Sequence, residues 1–350
     1  MKEKITISKT ATIKQAMKLL NKTGENCLLI VDEKNKLLGT LTDGDLRRSI
    51  LKGVNYNSVI EGSCNPEPFT LKSSSYTNSE AGKIMTNHKI DLLPILDSEK
   101  RVLDYITWEQ VFGNQSKISN TTLNIPVVIM AGGKGARMEP FTKVLPKALV
   151  PVHEKPIIEH IIDRFAELGC TEFHITVNYK GRILKAYFEE LQPSYKVYFV
   201  DEKEPLGTAG SLRFLDQKFD KPFFVTNCDI IIKCNYNTLY EFHQKGNYDV
   251  TLVASAKEYL IPYGTCELNQ DGDLSHINEK PKYDFLINTG LYILNPEILK
   301  IIPENKFYHI THLIEEVKNQ GLKVGVFPID EDAWIDVGQW TEYRQALKQL

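Results

Sequence analysis

The chain has 350 residues, 42% of them hydrophobic and 25% charged, with 42 Lys and Arg against 45 Asp and Glu and a formal net charge of -3. At about 150 residues per domain this predicts roughly two or three globular domains with a sizeable core. It excludes a disordered chain, a collagen-like repeat and a small disulfide scaffold. The near-neutral balance offers no basic surplus for a nucleic-acid partner. No apolar run approaches the roughly 18 residues of a membrane span, and the opening MKEKITISKT lacks the apolar core of a signal peptide. A cytoplasmic protein without membrane contact is expected. The cysteines, Cys27, Cys64, Cys170, Cys228, Cys234 and Cys266, form no C-x-x-C pair, so neither a zinc ribbon nor a redox motif is indicated.

The first third contains an internal repeat. LLIVDEKNKLLGTLTDGDL starts at Leu28 and LPILDSEKRVLDYITWEQV at Leu93, aligning Asp32 with Asp97, Leu38 with Leu103 and Thr42 with Thr107. Each unit reads as an apolar strand, a charged turn, a second strand and a short helix. A helix is predicted over 11–20 from Ile13, Ala16, Met17 and Leu20, and a weaker equivalent over 76–85. One unit alone cannot bury its strand faces, so two should pack as a pseudo-symmetric pair. Gly39-Thr40-Leu41-Thr42-Asp43-Gly44-Asp45 resembles the end of a cystathionine β-synthase (CBS) domain. The resemblance implies a tandem pair, residues 1–60 and 61–115, with an adenosine nucleotide held by Thr42 and Asp45. In the second repeat Asp104 and Gln110 depart from the pattern. A purely structural dimerisation module is the alternative.

Residues 116–124 sit in a polar Ser, Asn and Thr stretch that reads as a linker. From 125 to 350, strand-like runs (IPVVIMA, CTEFHITVNY, KVYFVDE, PFFVTNCD, DVTLVASA) alternate with helical runs at 157–169 and 182–191. This predicts an α/β domain with a Rossmann-like, mostly parallel sheet. Its ligands should bind beyond the carboxyl ends of the strands.

The first of these strands runs into Ala131, Gly132, Gly133, Lys134, Gly135, Ala136 and Arg137. Glycines there let backbone N–H groups approach an anion, with two cations beside them. Neither a Walker A loop nor a dinucleotide fingerprint fits the spacing. Pro140 and Pro146 predict an extended loop after it rather than a helix. One later strand ends in a carboxylate, Asp229, which needs a partner when buried and suits a hard cation such as Mg²⁺, which takes one or two carboxylates plus phosphate oxygens. Taken alone, Asp336 reads as a helix cap with Gly338 in a turn. The histidines lack ligand or triad spacing and read as structural.

G-G-x-G-A-R-M-x-P-F-T-x-x-x-P-K-A-L resembles the signature of sugar-phosphate nucleotidylyltransferases, and the resemblance covers essentially 125–350. It implies that Arg137 and Lys147 meet the phosphates, and that Ala131, Gly132, Gly133 and Gly135 line the nucleotide. The E-x-x-P-x-G-T-A-G run places Glu202, Pro205, Gly207, Thr208 and Ala209 at the base. N-C-D and W-x-D-x-G imply Asp229 and Asp336 as Mg²⁺ ligands, with Cys228 replacing the usual glycine. Tyr263-Gly264, Glu279-Lys280-Pro281 and Asn288-Thr289-Gly290 imply sugar-phosphate contacts at Gly264, Glu279, Lys280, Asn288 and Thr289.

The expected substrates are a nucleoside triphosphate and a sugar 1-phosphate, in a homodimer. A CBS pair ahead of such a domain most resembles guanylyltransferases of bacterial legionaminic acid synthesis, implying GTP and glucosamine 1-phosphate. Mannose- or heptose-1-phosphate guanylyltransferases, uridylyl or thymidylyl enzymes, and a non-catalytic nucleotide sensor are alternatives. No hexapeptide repeat follows Asp336, so no fused β-helix is expected.

Overall fold

The computed structural model describes residues 5–88, 90–112 and 122–349. The linker expected at 116–124 lies outside them up to 121. Among the described residues no helix is long and apolar enough to cross a membrane. The chain divides into two compact units. One contains the described part of 1–119 with Ser255–Ile287 and Pro328–Asp332; the other contains the rest.

In the first unit, each repeat is a short strand, a helix, a hairpin and a second helix. The first has β1 (Thr6–Ser8), α1 (Ile13–Thr23), β2 (Cys27–Val31), β3 (Leu37–Thr42) and α2 (Asp43–Leu51). The second has β4 (Leu71–Lys72), α3 (Asn78–His88), β5 (Leu92–Leu96), β6 (Val102–Thr107) and α4 (Trp108–Phe112). Thr12 and Gln15 form a reciprocal capping box at α1, and Gly24 ends the helix in the left-handed region. Its buried residues, Ile13, Ala16, Met17 and Leu20, are those the periodicity singles out.

The repeats are related as the aspartate alignment predicts. Asp32 Oδ1 accepts the N–H of Lys34 and Lys36, and Asp97 Oδ1 accepts those of Glu99 and Arg101. Asn35 and Lys100 both take positive φ, at 61° and 64°. The hairpin tips then bond reciprocally: Leu37 N–H donates to the Lys100 carbonyl (3.0 Å), and Val102 N–H to that of Asn35 (2.9 Å). Residues 255–287 and 328–332 join this unit through side chains of the first repeat. Ala256 packs in its core, Glu258 pairs with Lys14 at 3.5 Å, and buried Arg47 donates to the Pro328 carbonyl.

The second unit follows the α/β pattern. In chain order it has β7 (Val127–Met130), α5 (Phe141–Val144), β8 (Pro151–Val152), β9 (Lys155–Pro156), α6 (Ile157–Ala166), β10 (Glu172–Val177), α7 (Gly181–Leu191), β11 (Lys196–Asp201), β12 (Phe223–Asn227), β13 (Ile230–Ile232), α8 (Tyr236–Lys245) and β14 (Val250–Leu260). After β15 (Thr265–Leu268) and β16 (Leu274–Asn278), which belong to the first unit, come β17 (Lys282–Leu294), α9 (Ile310–Asn319), β18 (Val324–Asp330), β19 (Trp334–Asp336) and α10 (Trp340–Gln349). The strand order is β11-β10-β7-β12-β17-β14-β18. The first four run parallel, and β17 lies antiparallel to β12. β7 and β12 are therefore central, buried and apolar, as parallel strands covered on both faces must be. A core of Val128, Val225, Leu212, Tyr292, Leu294 and Leu313 covers one face.

The segment after the glycine loop differs from the extended run that its prolines suggest. It has a 3-10 turn at Ala136–Met138, the single turn α5 directly after Pro140, and another 3-10 turn at Lys147–Leu149 directly after Pro146. Proline is tolerated where a helix starts, because the N–H it lacks would have no intrahelical acceptor there.

Candidate active site

The carboxyl end of β12, with β13, β17 and β19 and the loop carrying Arg137, walls a cleft of about 290 Å³. Arg137, Asn227, Asp229, Asn288, Thr289 and Asp336 are among the residues lining it. Two backbone features bring the carboxylates together. β13 and β19 pair antiparallel with Ile230 opposite Asp336, and Val337 N–H donates to the Asp229 carbonyl at 2.8 Å. Gly338 N–H donates to Asp336 Oδ1 at 2.7 Å. A Cβ at Gly338 would lie 2.5 Å from Asp229 Oδ2, 2.8 Å from Asp336 Oδ1 and 3.0 Å from Lys147 Nζ. Three groups from distant parts of the sequence therefore face one point.

The electrostatics follow. Lys147 Nζ, itself largely buried, pairs with Asp229 Oδ2. Burial and then the Asp229 charge push the Asp336 carboxyl above its ordinary range; the Gly338 N–H, Lys147 and Arg137 oppose this. A buried and a partly buried carboxylate at one point call for a cation, and their oxygens are the hard donors Mg²⁺ takes, so Asp229 and Asp336 fit that ion. Among the described residues no group of three His, Cys, Asp or Glu side chains is placed to hold a metal. The remaining ligands of such an ion would have to be phosphate and water. Cys228 is buried beside this point, and burial pushes its thiol up to about 12.

The glycine loop is shaped for close approach at two positions. Gly135 takes φ 67°, where a Cβ would also press on Thr142 and Lys147. A Cβ on Gly132 would lie 2.9 Å from Glu202 Oε1. Buried Glu202 also accepts the Leu206 N–H at 3.3 Å. Its carboxylate thus braces both expected nucleotide loops. Gly133 faces open space, and Ala131 N–H is tied to the Thr176 carbonyl.

The run at 205–210 is held from behind by 306–310. Ala209 and Gly210 N–H groups donate to the Tyr308 carbonyl, Tyr308 N–H donates to that of Leu206, and Ile310 N–H donates to Thr208 Oγ1 at 3.0 Å. Gly207 at φ 80° passes against the Tyr308 backbone, where a side chain would not fit.

Asn288 donates from Nδ2 to the Tyr292 hydroxyl and accepts Gly290 N–H at Oδ1. The Thr289 hydroxyl donates to the Val253 carbonyl and accepts the Leu291 N–H. Gly264, Glu279 and Lys280 belong to the other unit. There a Cβ on Gly264 would lie 3.1 Å from Glu279 Oε2.

Thr42 and Asp45 are also placed together. Thr42 N–H and Oγ1 both donate to Asp45 Oδ2, at 2.9 and 2.6 Å, and Asp45 N–H donates back to Thr42 Oγ1. This capping box starts α2, a device that contributes about 1 kcal/mol. In the second repeat Thr107 N–H donates to Gln110 Oε1 at 2.9 Å. Gln110, a departure from the ribose-binding pattern, thus fills the corresponding capping position.

Two features escape sequence reading. The Asn227 amide sits where a Cβ of Gly290 (φ 90°) would stand, a close approach that no spacing reveals. The C-terminal α10 clamps the loop that carries Lys147. Trp340 Nε1 donates to the Glu139 carbonyl at 2.8 Å, Tyr343 Oη donates to that of Pro151 at 2.7 Å, and Phe141 packs 5.2 Å from the Trp340 ring.

A family model described as nucleotidyl transferase matches residues 126–350, and a CBS domain model matches 1–52. Mannose-1-phosphate guanyltransferase 2 of Candida glabrata is 34% identical over 223 residues, 61% of this chain and 61% of that protein. The mannose-1-phosphate guanyltransferase of Yarrowia lipolytica is also 34% identical, over 61% of this chain and 60% of its own length. The chain thus spans about three-fifths of the length of these curated relatives. Among solved structures, HddC from Yersinia pseudotuberculosis has 25% identity and a TM-score of 0.50, covering 64% of this chain and 99% of that one. A putative glucose-1-phosphate thymidylyltransferase from Bacillus anthracis, at 19% identity and TM-score 0.50 over 64% of this chain and 94% of its own, shares the fold.

Proposed function

The chain belongs to the nucleotidyl transferase family, and from that premise we propose that it moves a nucleotidyl group from a nucleoside triphosphate to a sugar 1-phosphate. The observation that carries this reading is the convergence of Asp229 Oδ2, Asp336 Oδ1 and Lys147 Nζ at Gly338. A phosphate oxygen of the sugar 1-phosphate attacks the α-phosphorus. The bond from that phosphorus to the bridging oxygen breaks in line, and pyrophosphate leaves with the electron pair. No covalent enzyme intermediate is needed, so rate comes from positioning and charge.

Arg137, exposed on the glycine loop and lining the cleft, offsets charge on the departing pyrophosphate. Lys147 draws two anionic substrates together against their repulsion. The backbone at Gly132 and Gly133 admits the triphosphate, and the loop at 205–209, fixed from behind, reads the base. Asp229 and Asp336 would hold Mg²⁺, which when bound supplies neutralisation of phosphate oxygens.

Guanine is the favoured base, consistent with relatives named guanyltransferases. Glucosamine 1-phosphate is the favoured acceptor, on the resemblance of a CBS domain ahead of the transferase to legionaminic acid enzymes. Mannose 1-phosphate is the second reading, favoured by the names of those relatives. The test is a matrix of triphosphates against sugar 1-phosphates, scored by pyrophosphate release. GTP with glucosamine 1-phosphate should turn over fastest, and Arg137→Ala and Asp229→Ala should each cost about a hundredfold or more. Near-wild-type turnover in either variant would remove that residue from the mechanism. A matrix empty at every position would favour a nucleotide-sensing regulator.

A further inference from the structure

The arm at 255–287 carries Gly264, Glu279 and Lys280, and its root is built into the first repeat. β14 and β17 are neighbours in the sheet. Ile261 N–H extends their pairing by donating to the Pro281 carbonyl at 3.0 Å. Alternate residues of a strand share a face, so Ala256 and Glu258 point the same way from β14. Ala256 is buried in the core of the first repeat. Glu258 follows on that face and meets two cations. Lys14 Nζ, from α1, lies 3.5 Å from its Oε2, and Lys282 Nζ lies 3.3 Å from its Oε1. Lys282 opens β17, two positions after Lys280.

Lys14 is badly placed for its own helix. It sits in the first turn of α1, which contains no acidic residue, and a cation there opposes the helix dipole. Its charge is accounted for by its partner rather than by α1. One turn on, on the same face, Lys18 reaches Asp332 at 3.6 Å. The two pairs differ in weight. Lys18 and Asp332 are 46% and 62% exposed, where water and salt screen a pair, whereas Lys14 and Glu258 are 22% and 21% exposed. Desolvation raises the Glu258 carboxyl, but Lys282 and Lys14 outweigh it and hold the group below its ordinary range.

We infer that Glu258, anchored by Lys14 of the first repeat, is a positioning residue for the sugar 1-phosphate, because it fixes the strand pair from which Glu279 and Lys280 extend. The inference rests on the reading that those two residues hold the acceptor. A residue of the first repeat thereby sets acceptor affinity through the arm. Steady-state kinetics on the full chain with GTP and glucosamine 1-phosphate test it, beside hydrogen–deuterium exchange over 259–282. Glu258→Gln, which keeps shape and drops charge, and Lys14→Met should each raise KM for glucosamine 1-phosphate about three- to tenfold. KM for GTP and kcat should change little, as for a loss of acceptor binding alone, and exchange in the arm should quicken. Lys14→Arg should keep wild-type values. Lys9→Met breaks a pair of the same 3.5 Å length, with Glu61, that involves no arm residue, and should change none of these. Lys280→Ala checks the underlying reading: an unchanged acceptor KM there overturns that reading and the inference with it. A raised KM in Lys280→Ala with an unchanged one in Glu258→Gln or Lys14→Met overturns the inference alone. So does an equal rise in KM for GTP, or an effect of Lys9→Met as large as theirs. Exchange in the arm that neither Glu258→Gln nor Lys14→Met alters overturns it whichever sugar is the substrate.

Discussion

Gly338→Ala adds a single methyl group at the point where the cleft's charges meet. The backbone there lies outside the positive-φ set, so alanine costs nothing through conformation and acts by volume alone. The new Cβ would stand 2.5 Å from Asp229 Oδ2 and 2.8 Å from Asp336 Oδ1. Ordinary carbon–oxygen contact begins at about 3.4 Å, so each carboxylate must retreat by roughly half an ångström to one ångström. A misplacement of about 1 Å costs about a hundredfold where positioning carries the rate. Pyrophosphate release should therefore fall by one to two orders of magnitude (about 10- to 100-fold). Thermal unfolding should move little, since the displaced groups border a cleft rather than the core. Gly62→Ala is the control, because a Cβ there meets nothing within 4 Å. A folded Gly338→Ala protein with wild-type turnover would refute the idea that these two carboxylates must stay in place for transfer.

The clamp by α10 makes a second prediction. Trp340→Phe keeps an aromatic ring beside Phe141 but removes the donor to the Glu139 carbonyl, so turnover should fall several-fold with the helix still formed by circular dichroism, whereas Trp340→Ala should lose far more. The buried thiols give a third. Burial raises Cys27 and Cys228 to about 12 and Cys170 to about 11, from an ordinary 9.0. Near pH 7 these thiols are neutral in folded and unfolded chains alike and have little effect on pH dependence. Above it the unfolded chain ionises first, so stability measured by urea melts should decline as pH rises from about 9 toward 12. Serine at Cys170 should remove part of that slope.

The sequence exposes those parts of the molecule that local chemistry dictates. The aspartate turns of the repeats are legible because one carboxylate accepting two N–H groups requires Asp32 and Asp97 at fixed offsets. The parallel strands β7, β10 and β12 are legible because strands buried on both faces must be nearly continuous apolar runs. Arg137, Lys147, Asp229 and Asp336 could be selected as candidates from short motifs. That three of them meet at Gly338 depends on the pairing of β13 with β19, which joins residues more than a hundred positions apart and leaves no local trace. The helical turns after Pro140 and Pro146 were obscured for a different reason. Proline forbids a helix interior but permits its first turn, and the sequence alone does not distinguish the two.

The same distinction between local and distant causes bears on the first repeat. Thr42 and Asp45 could be retained for a nucleotide or for the capping box, since both uses need a hydroxyl and a carboxylate three positions apart. Gln110 separates these uses. Glutamine keeps the capping acceptor toward Thr107 but gives up the carboxylate charge, so the second repeat preserves the helix start while changing the chemistry offered to a ribose. The capping requirement therefore accounts for the motif in both repeats, and any ligand role falls on the first repeat alone. An adenosine nucleotide would then bind the pair with one site rather than two. Binding in calorimetry should saturate at one equivalent per chain and weaken at least tenfold in Asp45→Gln, the substitution that reproduces the second repeat's own solution. Two equivalents would show that the second repeat binds as well, and unchanged affinity in Asp45→Gln would show that Asp45 is not the ribose contact.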